Sequence, residues 1–272
     1  MGHVAPLILG VDFTCAPRPA KAITVAFARW DDDVLRVERF ARLTDFVSFE
    51  RLLTEPGPWI GGFDFPFGMP AELVRDLDWP GEWRALVTHC EAMTRLEFRA
   101  ALDAYRASRP VGKKYAHRAT DGPAGSSSPM KLVNPPVALM FHEGARRLAA
   151  AGVHLPALLP GDRSRVALEA YPGLLARSIA RGSYKSGTRA EQTDARACVR
   201  KKIMTALRSG EYRLGIRVKF SSRKLEREAL SDGAGDLLDA VLCAVQAGWA
   251  ARKPRFGLPR KTHPCEGWIV SA

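Results

Sequence analysis

The sequence predicts an α/β fold: a mixed five-stranded sheet flanked by helices, with a helical insertion over about residues 71–160. Three observations lead there. The chain opens with three apolar or alternating segments separated by turn residues, the pattern of consecutive strands. One amphipathic helical stretch then leads to a fourth apolar segment, and a strand reached through a crossover helix returns parallel within the sheet. The first and fourth segments both end in aspartate, and open α/β sheets build their sites at the carboxyl ends of strands.

Each element has a local reason. Leu7 to Phe13 is apolar and broken by Asp12, as in a buried strand ending in a carboxylate. A proline-containing turn, Ala16 to Pro19, separates it from the β-branched run Ala22 to Phe27. Trp30 to Asp33 reads as a hairpin turn, and Val34 to Leu43 as a half-exposed third strand. Thr44 or Asp45 caps a helix with Phe46, Val47, Phe49, Leu52 and Leu53 on its buried side. Pro56-Gly57-Pro58 stops that helix, and Trp59 to Phe65 is the fourth strand.

The next stretch changes character. Glu82 to Tyr105 predicts one long amphipathic helix and Val137 to Ala151 another, with Gly152 as its stop. Between them Ser108 to Asn134 is a loop rich in Gly, Ser, Pro and basic residues; a loop of that length is uncommon without a function. Strand character returns at Arg165 to Tyr171. Pro172 opens a helix, Thr193 to Ser209 is a basic helix, and Leu225 to Leu230 a short one. Ser231 or Asp232 caps the helix Gly235 to Ala251, and Glu266 to Val270 reads as a small closing strand.

Composition narrows the function classes. With 46% hydrophobic residues over 272 positions there is material for a core. The 41 Lys and Arg against 29 Asp and Glu give a net charge of +12, which suits a polyanionic partner such as nucleic acid as well as a general preference for arginine. The five cysteines include no C-x-x-C pair, and the six histidines show no ligand spacing, so neither a disulfide framework nor a zinc site is expected. The apolar run Val4 to Val11 lacks a basic leader and reads as a strand rather than a signal peptide. No stretch approaches the ~20 apolar residues of a membrane span. A soluble, cytoplasmic protein is the expectation.

The chemistry concentrates in acids. Asp236 and Asp239 stand three apart on an otherwise apolar helix, which separates them by ~60° and ~4.5 Å and lets both carboxylates reach one point. Two carboxylates on such a face repel each other unless a cation lies between them. A helix start also attracts acids through its dipole, and a strand-end aspartate can simply cap a turn. Asp12 and Asp64 at one sheet edge, together with the D-x-x-D helix, form an oxygen-only set that suits Mg²⁺ or Mn²⁺ better than zinc.

The segments Gly10-Val-Asp-Phe-Thr14, Phe63-Asp-Phe-Pro-Phe-Gly68, Glu169-Ala-Tyr-Pro172 and Gly235-Asp-Leu-Leu-Asp-Ala240, with Glu266-Gly-Trp-Ile269 closing, resemble domain-of-unknown-function family 429. Its members are described as predicted RNase H-like nucleases. The resemblance runs along nearly the whole chain; each motif is weak alone, and the ordered set is fairly specific. It implies an RNase H-like fold. The acids also look like the layout of RuvC-type junction resolvases, which implies Asp12, Asp64, Asp236 and Asp239 as metal ligands, with Asp12 bridging two ions. Glu169 is implied as a further ligand or a group behind the ligands.

A metal-dependent nuclease acting on nucleic acid follows as the leading expectation. Lys113, Lys114 and Arg118 in the long loop, Lys185, and Arg200 and Lys201 on the basic helix are the candidate phosphate contacts, although Lys185 also reads as an exposed loop lysine. Tyr115 is the candidate for base stacking. Two other readings stand beside it. One is a non-catalytic nucleic-acid or protein-binding module on the same fold. The other is an actin- or hexokinase-type phosphotransferase, whose first phosphate loop is similar to Gly10–Thr14. The chain is short for that class and has no second copy of its opening strands.

Overall fold

A computed structural model describes residues 5–272; the Val4 end of the apolar run lies outside them. The opening meander forms from β1 (Leu7–Asp12), β2 (Ile23–Asp31) and β3 (Val34–Leu43), with Val11 opposite Val25 and Val25 opposite Ala41 in antiparallel register. α1 (Phe46–Thr54) starts at Asp45, whose carboxylate accepts from the Ser48 N–H at 2.7 Å. It buries Phe49, Leu52 and Leu53. Val47 was expected on that face but is 56% exposed, because two residues turn a helix about 200°. β4 (Trp59–Phe63) runs parallel to β1, with Gly10 opposite Gly62 and Val11 opposite Phe63.

Five helices follow β4: α2 (Ala71–Asp76), α3 (Trp83–Glu91), α4 (Arg95–Ser108), α5 (Asp121–Ala124) and α6 (Val137–Ala151). The single helix expected over 82–105 is therefore two. Thr94 starts the second: its hydroxyl accepts from the Glu97 N–H, and the Glu97 carboxylate accepts from the Thr94 N–H. That reciprocal cap breaks an amphipathic pattern that is otherwise continuous.

β5 (Val153–His154) and β6 (Asp162–Glu169) are parallel to each other, and β6 is parallel to β4. α7 (Pro172–Ile179), α8 (Asp194–Ser209), β7 (Arg217–Phe220), α9 (Arg223–Ser231) and α10 (Asp236–Ala251) complete the chain's main elements. The sheet has seven strands in the order β5-β6-β4-β1-β2-β3-β7, not the five expected. The two additions are edge strands of two and four residues, too short to carry a readable period of two. The expected closing strand Glu266–Val270 reduces to one bridge between Ile269 and Glu169.

The sheet separates two cores. α1–α4 and α6 cover the face that carries Leu9, Val11 and Phe63. α7–α10 cover the face that carries Ile8, Ala26 and Leu35. α10 lies across β1 and β4 at very close range. A Cβ on Gly10 would stand 1.9 Å from the Ala240 carbonyl oxygen, and one on Gly62 would stand 2.5 Å from that of Cys243. Glycine at these two positions is what lets the helix seat on the sheet.

Candidate functional site

Gly10-Val11-Asp12 on β1 and Gly62-Phe63-Asp64 at the end of β4 share a pattern and a register. Residues two apart on a strand face the same way. Each glycine therefore seats α10, and each aspartate, two residues on, faces the start of that helix. The Asp64 N–H donates to the Val11 carbonyl at 2.9 Å, which continues the pairing to the site. Asp236 and Asp239 lie in the first turn of α10. The Asp232 carboxylate accepts from the Leu237 N–H at 2.9 Å, so the expected cap forms from just outside the helix.

The four aspartates have different partners. Asp236 accepts from the Lys21 ammonium at 2.6 Å. Asp239 is fully buried and accepts from both the Tyr184 hydroxyl and the Lys185 ammonium. Asp12 is 6% exposed, and no hydrogen-bond donor among the described residues reaches its carboxylate or that of Asp64. Burial holds the Asp12 carboxyl well above the usual carboxylate range, with Asp239 and Asp236 adding to the effect against Lys185 and Lys21. Burial also pushes Asp64 up from 3.8 to about 7, with Lys185 opposing. Asp239 is raised by burial against the pull of Lys185. Burial works to lower Lys185, but Asp239, Tyr184 and Asp12 outweigh it and hold the ammonium well above its ordinary value. Lys21 is raised by Asp12 and Asp236 over the same penalty.

With every group ionised, four carboxylates face two ammonium groups, a deficit of two positive charges. Protons or one divalent cation would close it. Among the described residues no three His, Cys, Asp or Glu side chains stand in a coordinating arrangement; Lys21 and Lys185 lie against two of the four acids instead. The donor set fits a hard cation all the same. It is all oxygen, and Asp12 and Asp64 carry carboxylates without donors that line a cleft of about 520 Å³.

Glu169 lines the same cleft and adds to the negative charge felt by Asp64, but it has partners of its own. It ends β6 opposite Phe63, one residue short of Asp64, so it faces the other side of the sheet. There the Arg118 guanidinium donates to it at 2.7 and 2.8 Å, and the Phe67 N–H donates at 2.9 Å. Asp121 accepts from the same guanidinium at 2.9 Å. Arg118, expected as a phosphate contact, lines the cleft too, but its side chain is 2% exposed and its guanidinium is taken up by Glu169 and Asp121, which holds the long loop on the sheet. Arg200 is corrected likewise. It is 5% exposed and donates to the carbonyls of Leu230 at 2.9 Å and Tyr184 at 2.7 Å. Its work is to hold the segment that presents Tyr184 and Lys185.

Lys113, Lys114 and Lys201 are exposed, and none of them lines the cleft. Tyr115 is half-buried, with the Arg106 guanidinium 4.9 Å from its ring centre. Lys185, by contrast, lines the cleft among the acids. Sequence reasoning missed Lys21 and Tyr184. Tyr184 adjoins Lys185, a usable signal. Lys21 sits in a tight turn closed by paired bonds with Arg18 at 2.9 and 3.0 Å, and nothing local marks it. The positive charge is also more concentrated than expected: residues 181–231 hold 14 Lys and Arg against 5 Asp and Glu, +9 of the chain's +12.

The fold and the site together define an α/β protein with an aspartate–lysine cluster in a cleft at the carboxyl edge of a mixed sheet. The chain belongs to the family described as "Protein of unknown function (DUF429)", whose model matches residues 10–261. No curated protein and no solved structure matches it.

Proposed function

We propose that the chain is a divalent-metal-dependent hydrolase of phosphodiester bonds, acting on nucleic acid on an RNase H-like fold. The observation that carries the reading is the pair Asp12 and Asp64: carboxylates without donors, held above the usual carboxylate range by burial, lining one cleft beside the ion-paired Asp236 and Asp239. The meander of β1–β3 followed by a crossover helix and the parallel strand β4 supports the RNase H-like assignment. Mg²⁺ or Mn²⁺ would be held by Asp12 and Asp64, with Asp236 and Asp239 recruited as Lys21 and Lys185 withdraw. Bound there, such an ion supplies Lewis-acid polarisation of a phosphoryl oxygen and a more acidic water.

The chain's own residues have separate tasks. Asp12 and Asp64 supply donor-free carboxylates whose ionised form a bound cation would favour. Lys21 and Lys185 balance that charge beforehand and are placed to meet a phosphate oxygen afterwards. Tyr184 fixes one oxygen of Asp239. The basic stretch 181–231 gives an anionic polymer a favourable approach. Five free cysteines suit a reducing, cytoplasmic setting.

The test is cleavage of labelled single-stranded and duplex DNA and RNA in Mn²⁺ or Mg²⁺. Cleavage by the wild type should disappear in EDTA and fall by about a hundredfold or more in Asp12→Asn. Nucleic-acid binding without any turnover, unchanged by Asp12→Asn, would favour the non-catalytic module instead.

A further inference from the structure

The cleft's lining joins two chemistries. Asp12, Asp64, Lys21 and Lys185 supply charge, with Arg118 and Glu169 paired to each other, while Phe13, Pro136, Val137 and Met140 supply an apolar surface. Tyr171 lines the same space with the Arg177 guanidinium 5.1 Å from its ring centre. The apolar surface comes largely from the segment between β4 and β6, and it is tied down at several points. Arg118 joins it to Glu169, and the Ala119 N–H donates to Glu266 at 2.9 Å. Arg177 on α7 donates to the carbonyls of Ala124 at 2.9 Å and Gly125 at 3.0 Å.

We infer that this cleft takes a single nucleoside phosphate, free or as one unit of a single strand, and does not take a base-paired duplex. The inference rests on the reading above that the cluster acts on a phosphate ester. The volume of about 520 Å³ lies within the range of small-molecule sites. Charged groups matched to phosphate and an apolar surface with a tyrosine face matched to a base are complementary to a nucleotide. In a duplex the base is held in the stack and cannot reach such a surface without being unpaired. The two sources, free nucleotide and single strand, present the same chemistry.

The test uses the full chain in Ca²⁺ and a fluorescent short single strand as probe, with AMP, adenosine, inorganic phosphate and a blunt G·C-rich duplex as competitors. AMP or unlabelled single strand should compete at least about tenfold better than adenosine, phosphate or duplex. A strand that far outcompetes AMP identifies the polymer as the source, and parity identifies the free nucleotide. Met140→Trp fills space at the apolar surface. Ser127→Trp, at an exposed lining position, narrows the mouth without disturbing the core. Both should weaken binding about tenfold and leave the Mn²⁺-dependent rise in melting temperature intact. A probe that does not bind, a duplex that competes as well as the single strand, or binding indifferent to Ser127→Trp overturns the inference. Failure of the hydrolase reading is separate: no Mn²⁺ stabilisation and no cleavage, with Trp-sensitive nucleotide binding retained.

Discussion

Asp12 and Asp64 differ from Asp236 and Asp239 in having no donor on their carboxylates, and burial sets their response to pH. The folded value of Asp64, about 7, lies above the ordinary 3.8, so the folded state takes up a proton more readily than the unfolded chain. Its carboxyl is neutral and costs little below about pH 4, and it destabilises progressively as pH rises toward 7. Without divalent cations, Asp64→Asn should match the wild type near pH 4 and exceed it by roughly 2–4 kcal/mol at pH 8; urea denaturation at the two pH values reads this directly. An equal difference at both would contradict it. Lys185 gives the complementary prediction. Lys185→Met leaves Asp239 buried without its counter-charge, so the variant should be less stable without metal and should bind Mn²⁺ severalfold more tightly by calorimetry. Lysine that merely decorates the rim would leave that affinity unchanged. At this scale the acids were legible because aspartate ends two strands and repeats at i and i+3. Lys185 was named as a phosphate contact, but its pairing with Asp239, and Lys21 altogether, were not legible, because the ion pairs span 54 and 215 residues.

At the scale of elements, the site depends on α10 lying against β1 and β4. Gly10→Ala would drive a methyl group to 1.9 Å from the Ala240 carbonyl oxygen, a backbone atom that cannot swing aside. The helix must lift, and denaturant unfolding should show a loss of about 3 kcal/mol or more. A loss below ~1 kcal/mol would mean that the helix seat is not close-packed. The meander, the crossover helix and the D-x-x-D helix were readable because their periodicity runs over whole elements. The break at Thr94 was hidden because α3 and α4 turn apolar faces to the same core, leaving only a T-x-x-E cap as the sign. The partners of Glu169 were not legible for a related reason. Which face a strand-end residue takes depends on register with its neighbour, and one residue of offset sends the side chain to the other face.

Over the whole molecule, the segment between β4 and β6 is fastened to the sheet by Arg118. Arg118→Ala strands Glu169 and Asp121 as buried charges, which should cost roughly 3–5 kcal/mol and raise hydrogen exchange over residues 116–134. Combining Arg118→Met with Glu169→Met and Asp121→Asn, which removes both stranded charges, should recover much of the stability; if it does not, the fastening is not electrostatic. The overall basic charge was visible in the composition, but that its stretch reaches the cleft through Tyr184 and Lys185 required the fold. The central claim is that Asp12, Asp64, Asp236 and Asp239 form a divalent-cation site. Its most direct test is thermal unfolding of the wild type and of Asp12→Asn with Asp239→Asn as Mg²⁺ or Mn²⁺ is titrated. A cation that binds only the folded state raises the melting temperature by mass action, so the wild type should rise with metal while the double variant, already relieved of repulsion, should not. A wild type indifferent to millimolar metal, or a variant that rises equally, would contradict the claim.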